Sequence, residues 1–450
     1  MTAAAETKDK NTWKFPKAFW IANTVELLER AAFYAMFISI TLYLTRVVGY
    51  NDVWSAWIGG AFGAGMYFLP PFTGAYSDKI GFRNAIIIAF SLLSIGYFTL
   101  GFLPYKATVF PALIIVMFGG SFIKSIITGT VAKTTNEKTR ARGYALFYMV
   151  VNIGAFAGKT FAFPLRVKLG IETINFFSAA VAFFALVTVF FFYKGVSREG
   201  EGKSLQEVWQ GFIRVISNVR LSILIFIVTG FWIIQQQLYA TMPKYVLRTV
   251  GESAAPEWYA NVNPAVVMLC VVLITQLMSK VKAITSMSIG MFIMPFSAGA
   301  MALSPVLESI TGQSVSIFGL LSLHPITVMM IIGIMLQGLA ECFISPRYLE
   351  YFSLQAPKGE EGLYLGFSHL HSFLSFIIGF GISGYLLTKY CPDPRTLTAL
   401  TETQRAAAYS NSHVIWYYFS AIGVVSAIAL IIFNLTVKRI DKKKAAAASS

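Results

Sequence analysis

Apolar stretches of about 20 residues or more recur along the whole sequence, near 18–46, 53–77, 84–105, 108–132, 143–165, 172–193, 219–246, 258–280, 283–304, 325–352, 362–388 and 413–437. Each is long enough to cross the roughly 30 Å hydrocarbon layer of a bilayer as a helix. Lipid offers no partner to backbone N–H and C=O groups, so such stretches must satisfy their hydrogen bonds internally. The chain has 450 residues, of which 56% are hydrophobic and 13% charged, too apolar for a soluble protein of this length. An all-α polytopic membrane protein of about twelve transmembrane helices follows.

The net charge of +15 raises nucleic acid as a partner, and the placement of the charge excludes it. Lys8, Lys10, Lys14 and Lys17 precede the first span, and Lys438, Arg439, Lys442, Lys443 and Lys444 follow the last. Between them every second loop is basic: Lys79 and Arg83; Lys133, Lys138, Arg140 and Arg142; Lys194, Arg198, Lys203, Arg214 and Arg220; Lys280 and Lys282; Lys358. By the positive-inside rule this alternation predicts both termini in the cytoplasm, an even number of spans, and residence in the plasma or inner membrane. The opening MTAAAETKDKNTWK has no short apolar core with a small-residue cleavage site, so no removable signal peptide is expected. Cys270, Cys342 and Cys391 are too far apart to suggest a disulfide framework or a metal site.

The chain divides into a cytoplasmic tail (1–17), a six-helix bundle (18–193), a cytoplasmic linker (194–218), a second six-helix bundle (219–437) and a basic tail (438–450). In the linker Leu205, Val208, Trp209, Phe212, Ile213 and Ile216 recur at helical spacing, which predicts an amphipathic helix at the membrane surface. Two pseudo-symmetric halves around a central site is the layout of many secondary transporters.

Within the first span, Glu26, Glu29, Arg30, Phe33, Tyr34 and Phe37 follow i, i+3, i+4, i+7, i+8, i+11 spacing and share one helix stripe. A surface pair of this kind contributes about 0.2–0.5 kcal/mol, against several kcal/mol for placing charges in lipid. The stripe must therefore face a polar cavity or partners on other helices. A structural ion-pair cluster and a functional one are both compatible with that requirement.

Two groups of motifs identify a family resemblance. GAYSDKIGFRNA after the second span resembles the signature loop of the major facilitator superfamily, with Gly74, Asp78, Gly81 and Arg83 in matching places. Gly81 permits a tight turn, and Asp78 with Arg83 is expected to form a charge lock between helix ends. Glu26-Leu-Leu-Glu29-Arg30-Ala31-Ala32-Phe33-Tyr34 is similar to the E-x-x-E-R-F-x-Y-Y pattern of the proton-dependent oligopeptide transporters, a branch of that superfamily, with the charges intact and the aromatic part changed. SFIKSIITGTV keeps the lysine of the family's I-K-P-N motif as Lys124. FYMVVNIG supplies Tyr148 and Asn152, FWIIQQQ replaces F-W-x-x-x-E-Q, NVNP supplies Asn263 and Pro264, and LAECFISP supplies Glu341, Ser345 and Pro346.

This resemblance implies alternating-access, proton-coupled symport of di- or tripeptides or peptide-like zwitterions, with protons as the coupling ion and no other cofactor. It implies proton coupling at Glu26, Glu29 and Arg30, and substrate binding at Arg30, Tyr34, Lys124, Tyr148, Asn152, Gln236, Asn263 and Glu341. It also implies a gate in which Lys124 pairs with Glu341. A zwitterion in a low-dielectric pocket calls for opposite charges on opposite walls, which is consistent with these residues. The expected partners are a small-molecule substrate and the lipid bilayer, with the monomer as the working unit.

Several positions depart from the family. Phe37 and Gln236 replace a basic and an acidic residue, and a gate rebuilt from neutral hydrogen bonds around Gln235, Gln236 and Gln237 is the expected substitute. Ser368 stands where the family often has Trp. His369 and His371 follow, a spacing that points two side chains of one helix to different faces; proton-linked, metal-binding and packing roles are all open for them. Lys159 has no family counterpart and either joins the cavity or snorkels to an interface. These departures keep alternatives open: a proton-linked transporter or exporter of another anionic or zwitterionic metabolite or drug, or a transport-inactive receptor or scaffold. No nucleophile constellation, metal set or G-x-x-x-x-G-K-[ST] loop is present, so the sequence points away from an enzyme or an ATP-driven pump.

Overall fold

The computed structural model describes residues 14–136, 139–194, 204–317, 319–357 and 360–448. Lys8, Lys10, Lys138, Arg198, Lys203 and Lys358, with most of the first tail and residues 195–203 of the linker, lie outside the described residues.

The first bundle contains α1 (Lys17–Arg46), α2 (Asp52–Phe68), α3 (Pro70–Ile80), α4 (Phe82–Phe102), α5 (Lys106–Thr134), α6 (Arg140–Leu169) and α7 (Glu172–Phe192). The linker helix is α8 (Leu205–Ser217). The second bundle contains α9 (Val219–Gln235), α10 (Gln237–Ala240), α11 (Met242–Thr249), α12 (Pro256–Tyr259), α13 (Val262–Leu277), α14 (Ala283–Ala302), α15 (Ser304–Thr311), α16 (Pro325–Gln355), α17 (Glu361–Ser368), α18 (Leu370–Tyr390), α19 (Glu402–Tyr409) and α20 (Val414–Ala448). A two-stranded hairpin, β1 (Val315–Ile317) and β2 (Leu321–Leu323), sits between α15 and α16.

Among the described residues eleven helical segments are each long and apolar enough to span a membrane. The stretch read as one span over 53–77 is split into α2 and α3, because Pro70 and Pro71 cannot continue the hydrogen bonding of α2. Together the two helices return the chain to the end of the molecule where α1 begins. Gly81, at φ +87°, then turns α3 into α4. Exposed apolar side chains such as Phe98, Phe183, Phe191, Phe226, Leu269 and Ile432 form the outer surface, as lipid contact requires.

Within the first bundle α1 packs on α5, α6 and α7, and α4 on α5 and α7; within the second, α14 packs on α16 and α20. The bundles meet most extensively where α2 lies along α18. Glycines allow this close approach: a Cβ added to Gly60 would sit 2.7 Å from the Phe376 carbonyl oxygen, and one on Gly384 would sit 2.9 Å from Val53 Cα. The linker helix α8 begins with a capping box between Ser204 and Glu207. It buries Val208, Gly211 and Val215, exposes Leu205, Trp209, Ile213 and Ile216, and packs on α3 of one bundle and α17 of the other.

Candidate functional site

The charged stripe of α1 is sealed inside the first bundle. Arg30 Nε lies 3.1 Å from Glu26 Oε1 and 2.5 Å from Glu29 Oε2, and Glu29 is 0% exposed. The glycines of α6 make room for it, since a Cβ on Gly154 would meet Arg30 Cβ at 2.7 Å and one on Gly158 would collide with the Ala31 carbonyl. Two acids and one base leave a net negative charge, which Lys124 on α5 faces from electrostatic reach of both carboxylates. The Lys124 ammonium rests 3.4 Å from the centre of the Tyr67 ring.

On the second bundle, Glu341 of α16 receives hydrogen bonds at Oε2 from Gln235 Nε2 (3.1 Å) and Asn263 Nδ2 (3.3 Å). Between the two poles lie Tyr34 and Tyr148. Tyr148 is 50% exposed and within electrostatic reach of Tyr34 and of Glu341 on the other bundle. Asn152 lies one turn beyond Tyr148 and donates to its carbonyl at 2.8 Å. The Glu26–Glu29–Arg30 cluster with Lys124 in the first bundle and Glu341 in the second thus approach Tyr34 from opposite bundles.

Several expected pairings are absent. Lys124 and Glu341 form no ion pair among the described residues; the cation in electrostatic reach of Glu341 is Lys159. Lys159 does not snorkel: it is 2% exposed, donates to the Ala260 carbonyl at 3.1 Å and lies 5.6 Å from the Tyr34 ring centre. Asp78 and Arg83 do not pair either. Arg83 instead donates to the Tyr193 and Phe190 carbonyls at 2.9 and 3.0 Å and so caps the end of α7. Gln236 is the residue at the break between α9 and α10. Its neighbour Gln235 makes the Glu341 contact, a role that an i-to-i reading of the family motif misses by one position.

Of the neutral hydrogen bonds expected around the three glutamines, one crosses between the bundles, from the Thr41 hydroxyl to the Tyr239 carbonyl at 3.3 Å, and the glutamines themselves do not make it. Gln237 donates to Ile233 and Gly379 carbonyls and accepts from Thr241, all within the second bundle. The larger crossing contact at this level is aromatic: Phe37 has ring centroids of Tyr239, Phe376 and Phe380 at 4.8, 5.8 and 6.3 Å, with Phe33 and Phe62 behind it at 5.1 and 6.1 Å. Farther along, buried Asp52 accepts from Lys244 Nζ (2.8 Å) and from both Arg248 nitrogens (2.9 Å). The end opposite the termini is therefore closed.

His369 and His371 come closer than helical spacing predicts, with ring centroids 5.9 Å apart, because the helix breaks at His369. The Ser368 carbonyl accepts from the Tyr348 hydroxyl at 2.9 Å and lies 2.7 Å from His371 Nδ1. Exposed His369 faces Tyr67 at 6.0 Å between ring centres and is within electrostatic reach of Lys124, which places it on the cavity wall. Among the described residues no three His, Cys, Asp or Glu side chains come together as a metal site.

The sequence profile of the Major Facilitator Superfamily matches residues 22–319. The dipeptide and tripeptide permease A of Erwinia pyrifoliae is 24% identical over 242 residues, covering 53% of this chain and 48% of the relative. That of Escherichia coli K12 is also 24% identical over 242 residues, with the same coverage of 53% and 48%. The chain thus matches about half the length of these curated relatives. Among solved structures, a POT family transporter in complex with thioalcohol conjugated peptide superimposes with a TM-score of 0.75 at 16% identity, covering 96% of this chain and 98% of the other. A POT family transporter in complex with 5-aminolevulinic acid gives 0.73 at 16% identity, covering 94% and 97%. At such identity these structures establish the shared fold. With two helical bundles around a cavity and a profile match over most of its length, the chain belongs to the major facilitator superfamily.

Proposed function

We propose that the protein is a proton-coupled symporter of di- or tripeptides, or of close peptide-like zwitterions, working by alternating access. The observation that carries this reading is the pair of buried polar groups that approach Tyr34 from opposite bundles: Lys124 beside the Glu26–Glu29–Arg30 cluster, and Glu341 with Gln235 and Asn263. A carboxylate end matches the first pole and an amino end the second. The printed names of the relatives, dipeptide and tripeptide permeases, support the same substrate class.

Glu29 and Glu26 are the proton carriers in this reading. Burial disfavours two carboxylates beside one guanidinium, so the pair gains or loses a proton when Arg30 is drawn toward substrate. Tyr34, Tyr148 and Asn152 position the substrate backbone. The basic loops support cytoplasmic termini, and the closed end then faces outward. Purified protein tested against a panel of amino acids, dipeptides, tripeptides and pentapeptides should be raised in Tm by dipeptides and tripeptides and not by the others. Stabilisation by single amino acids or unrelated anions alone would point to the other metabolite class.

A further inference from the structure

The outer half of α6 is joined to the segment around α12 by a continuous polar seam between the bundles. Arg166 pairs with Glu257 at 2.5 Å and donates to the Ala254 carbonyl at 2.7 Å. Trp258 Nε1 donates to the Thr160 carbonyl at 3.1 Å, and Asn261 Nδ2 to Thr160 Oγ1 at 2.9 Å. The Phe163 and Trp258 rings lie 4.6 Å apart. Lys159 is the innermost member, through its 3.1 Å bond to the Ala260 carbonyl.

Its position differs in kind from the rest of the seam. Lys159 is a buried cation whose one hydrogen bond goes to the Ala260 carbonyl, and three residues on in the same segment Asn263 donates to Glu341, in the bundle opposite Lys159, at 3.3 Å, which puts that carboxylate in electrostatic reach of the ammonium. Arg166, by contrast, has its own buried carboxylate in Glu257. A buried cation held by a carbonyl and, at 5.6 Å, the Tyr34 ring is costly, so the charge of Glu341 helps to keep the Lys159 ammonium, and with it the inner end of the seam, in place. An alternating-access cycle must break every bond of this seam when α6 and α12 separate.

We propose that Lys159 is the positioning residue through which the state of Glu341 reaches the gate. With Glu341 ionised and free, the two opposite charges attract across the bundles and the seam stays shut; a substrate amine that neutralises Glu341 removes that attraction and loosens the seam. Lys159 thereby takes over a coupling task for which Phe37 and Gln236 have no charges. The inference rests on the transporter reading but names a residue and a route that the family motifs do not contain.

The test reads conformation rather than uptake. Spin labels at Lys168 and Ser309, in protein held in lipid nanodiscs, report the separation of the bundles at the closed end by pulsed distance measurement. E341Q should raise the ratio of open to closed distances on the order of tenfold, the scale of a charge-assisted contact. In the K159M background E341Q should have no such effect, and K159M alone should already favour the open distance. If K159M does not fold, K159Q, which keeps a donor and loses the charge, takes its place. The proposal is overturned if E341Q leaves the distances unchanged, or shifts them equally with and without Lys159. A chain that shows the response but accumulates no peptide keeps this inference and loses the peptide reading.

Discussion

Lys244 Nζ lies 2.8 Å from Asp52 Oδ1, with both residues at most 3% exposed, and the contact joins the second bundle to the first. Arg248 adds two bonds to the same carboxylate and one to the Cys391 carbonyl at 2.6 Å, and Asp393 lies 3.7 Å from it. Arg395 closes on Asp393 at 2.6 Å, so Asp52 and Asp393 are held by three bases, Lys244, Arg248 and Arg395. This is the ionic latch of the closed end.

Asp52→Asn should open that latch. It leaves Lys244 and Arg248 buried together with one carboxylate fewer, and breaking a buried pair costs about 3–5 kcal/mol when the structure does not adjust. The expected adjustment is separation of the bundles, seen as a larger share of long distances between the labels at Lys168 and Ser309. Adding Lys244→Met should recover part of the closed population.

Phe37→Ala should lower the thermal midpoint in detergent. Loss of a buried phenylalanine costs about 3–5 kcal/mol in a well-packed core. Phe37→Arg, which restores the charge common in the family, should be at least as harmful, because Tyr239, Phe376 and Phe380 offer the guanidinium no carboxylate. Differential scanning fluorimetry of the two variants checks both statements.

Gly60→Ala should impair the α2–α18 contact. The new methyl would meet the Phe376 carbonyl oxygen at 2.7 Å, and overpacking of this sort costs about 1–3 kcal/mol. Gly299→Ala is the control, since its nearest contact, Ser420 Oγ, is at an ordinary 3.6 Å. Expression yield and Tm should fall for the first variant and not for the second.

Lys124→Ala should weaken dipeptide binding by tenfold or more. Its ammonium rests on the Tyr67 ring and faces the Glu26–Glu29–Arg30 cluster, so its removal is felt by the ligand and by the cluster alike, and Tm should fall as well. Isothermal titration with dialanine measures the affinity. Lys124→Arg should retain part of it.

The spans and the charged stripe were legible because each rests on a single segment: twenty apolar residues predict a helix, and three charges on one face of it predict an interior. The break at Leu69 was also written in the sequence, as Pro70–Pro71, but a window of hydropathy averages over it. What could not be read were relationships between segments. Lys159 and Ala260 are 101 positions apart, and no local pattern says which carbonyl a buried lysine will meet. Asp52, Lys244 and Arg248 stand at the ends of spans, where charges are ordinary, and only the closed packing of the bundles buries them. The histidine pair was read on an unbroken helix, whereas the Ser368 carbonyl bonds to side chains and the helix is interrupted there.

The most direct measurement of the central claim is uptake of labelled dialanine into proteoliposomes with the outside acidic, with and without a protonophore, for the native chain and Glu29→Gln. The account predicts accumulation against the dialanine gradient that the protonophore abolishes, and its loss in Glu29→Gln with dialanine exchange at equal pH preserved. Native protein that folds but accumulates no dialanine, or accumulates it equally with the protonophore present, would contradict proton-coupled peptide symport.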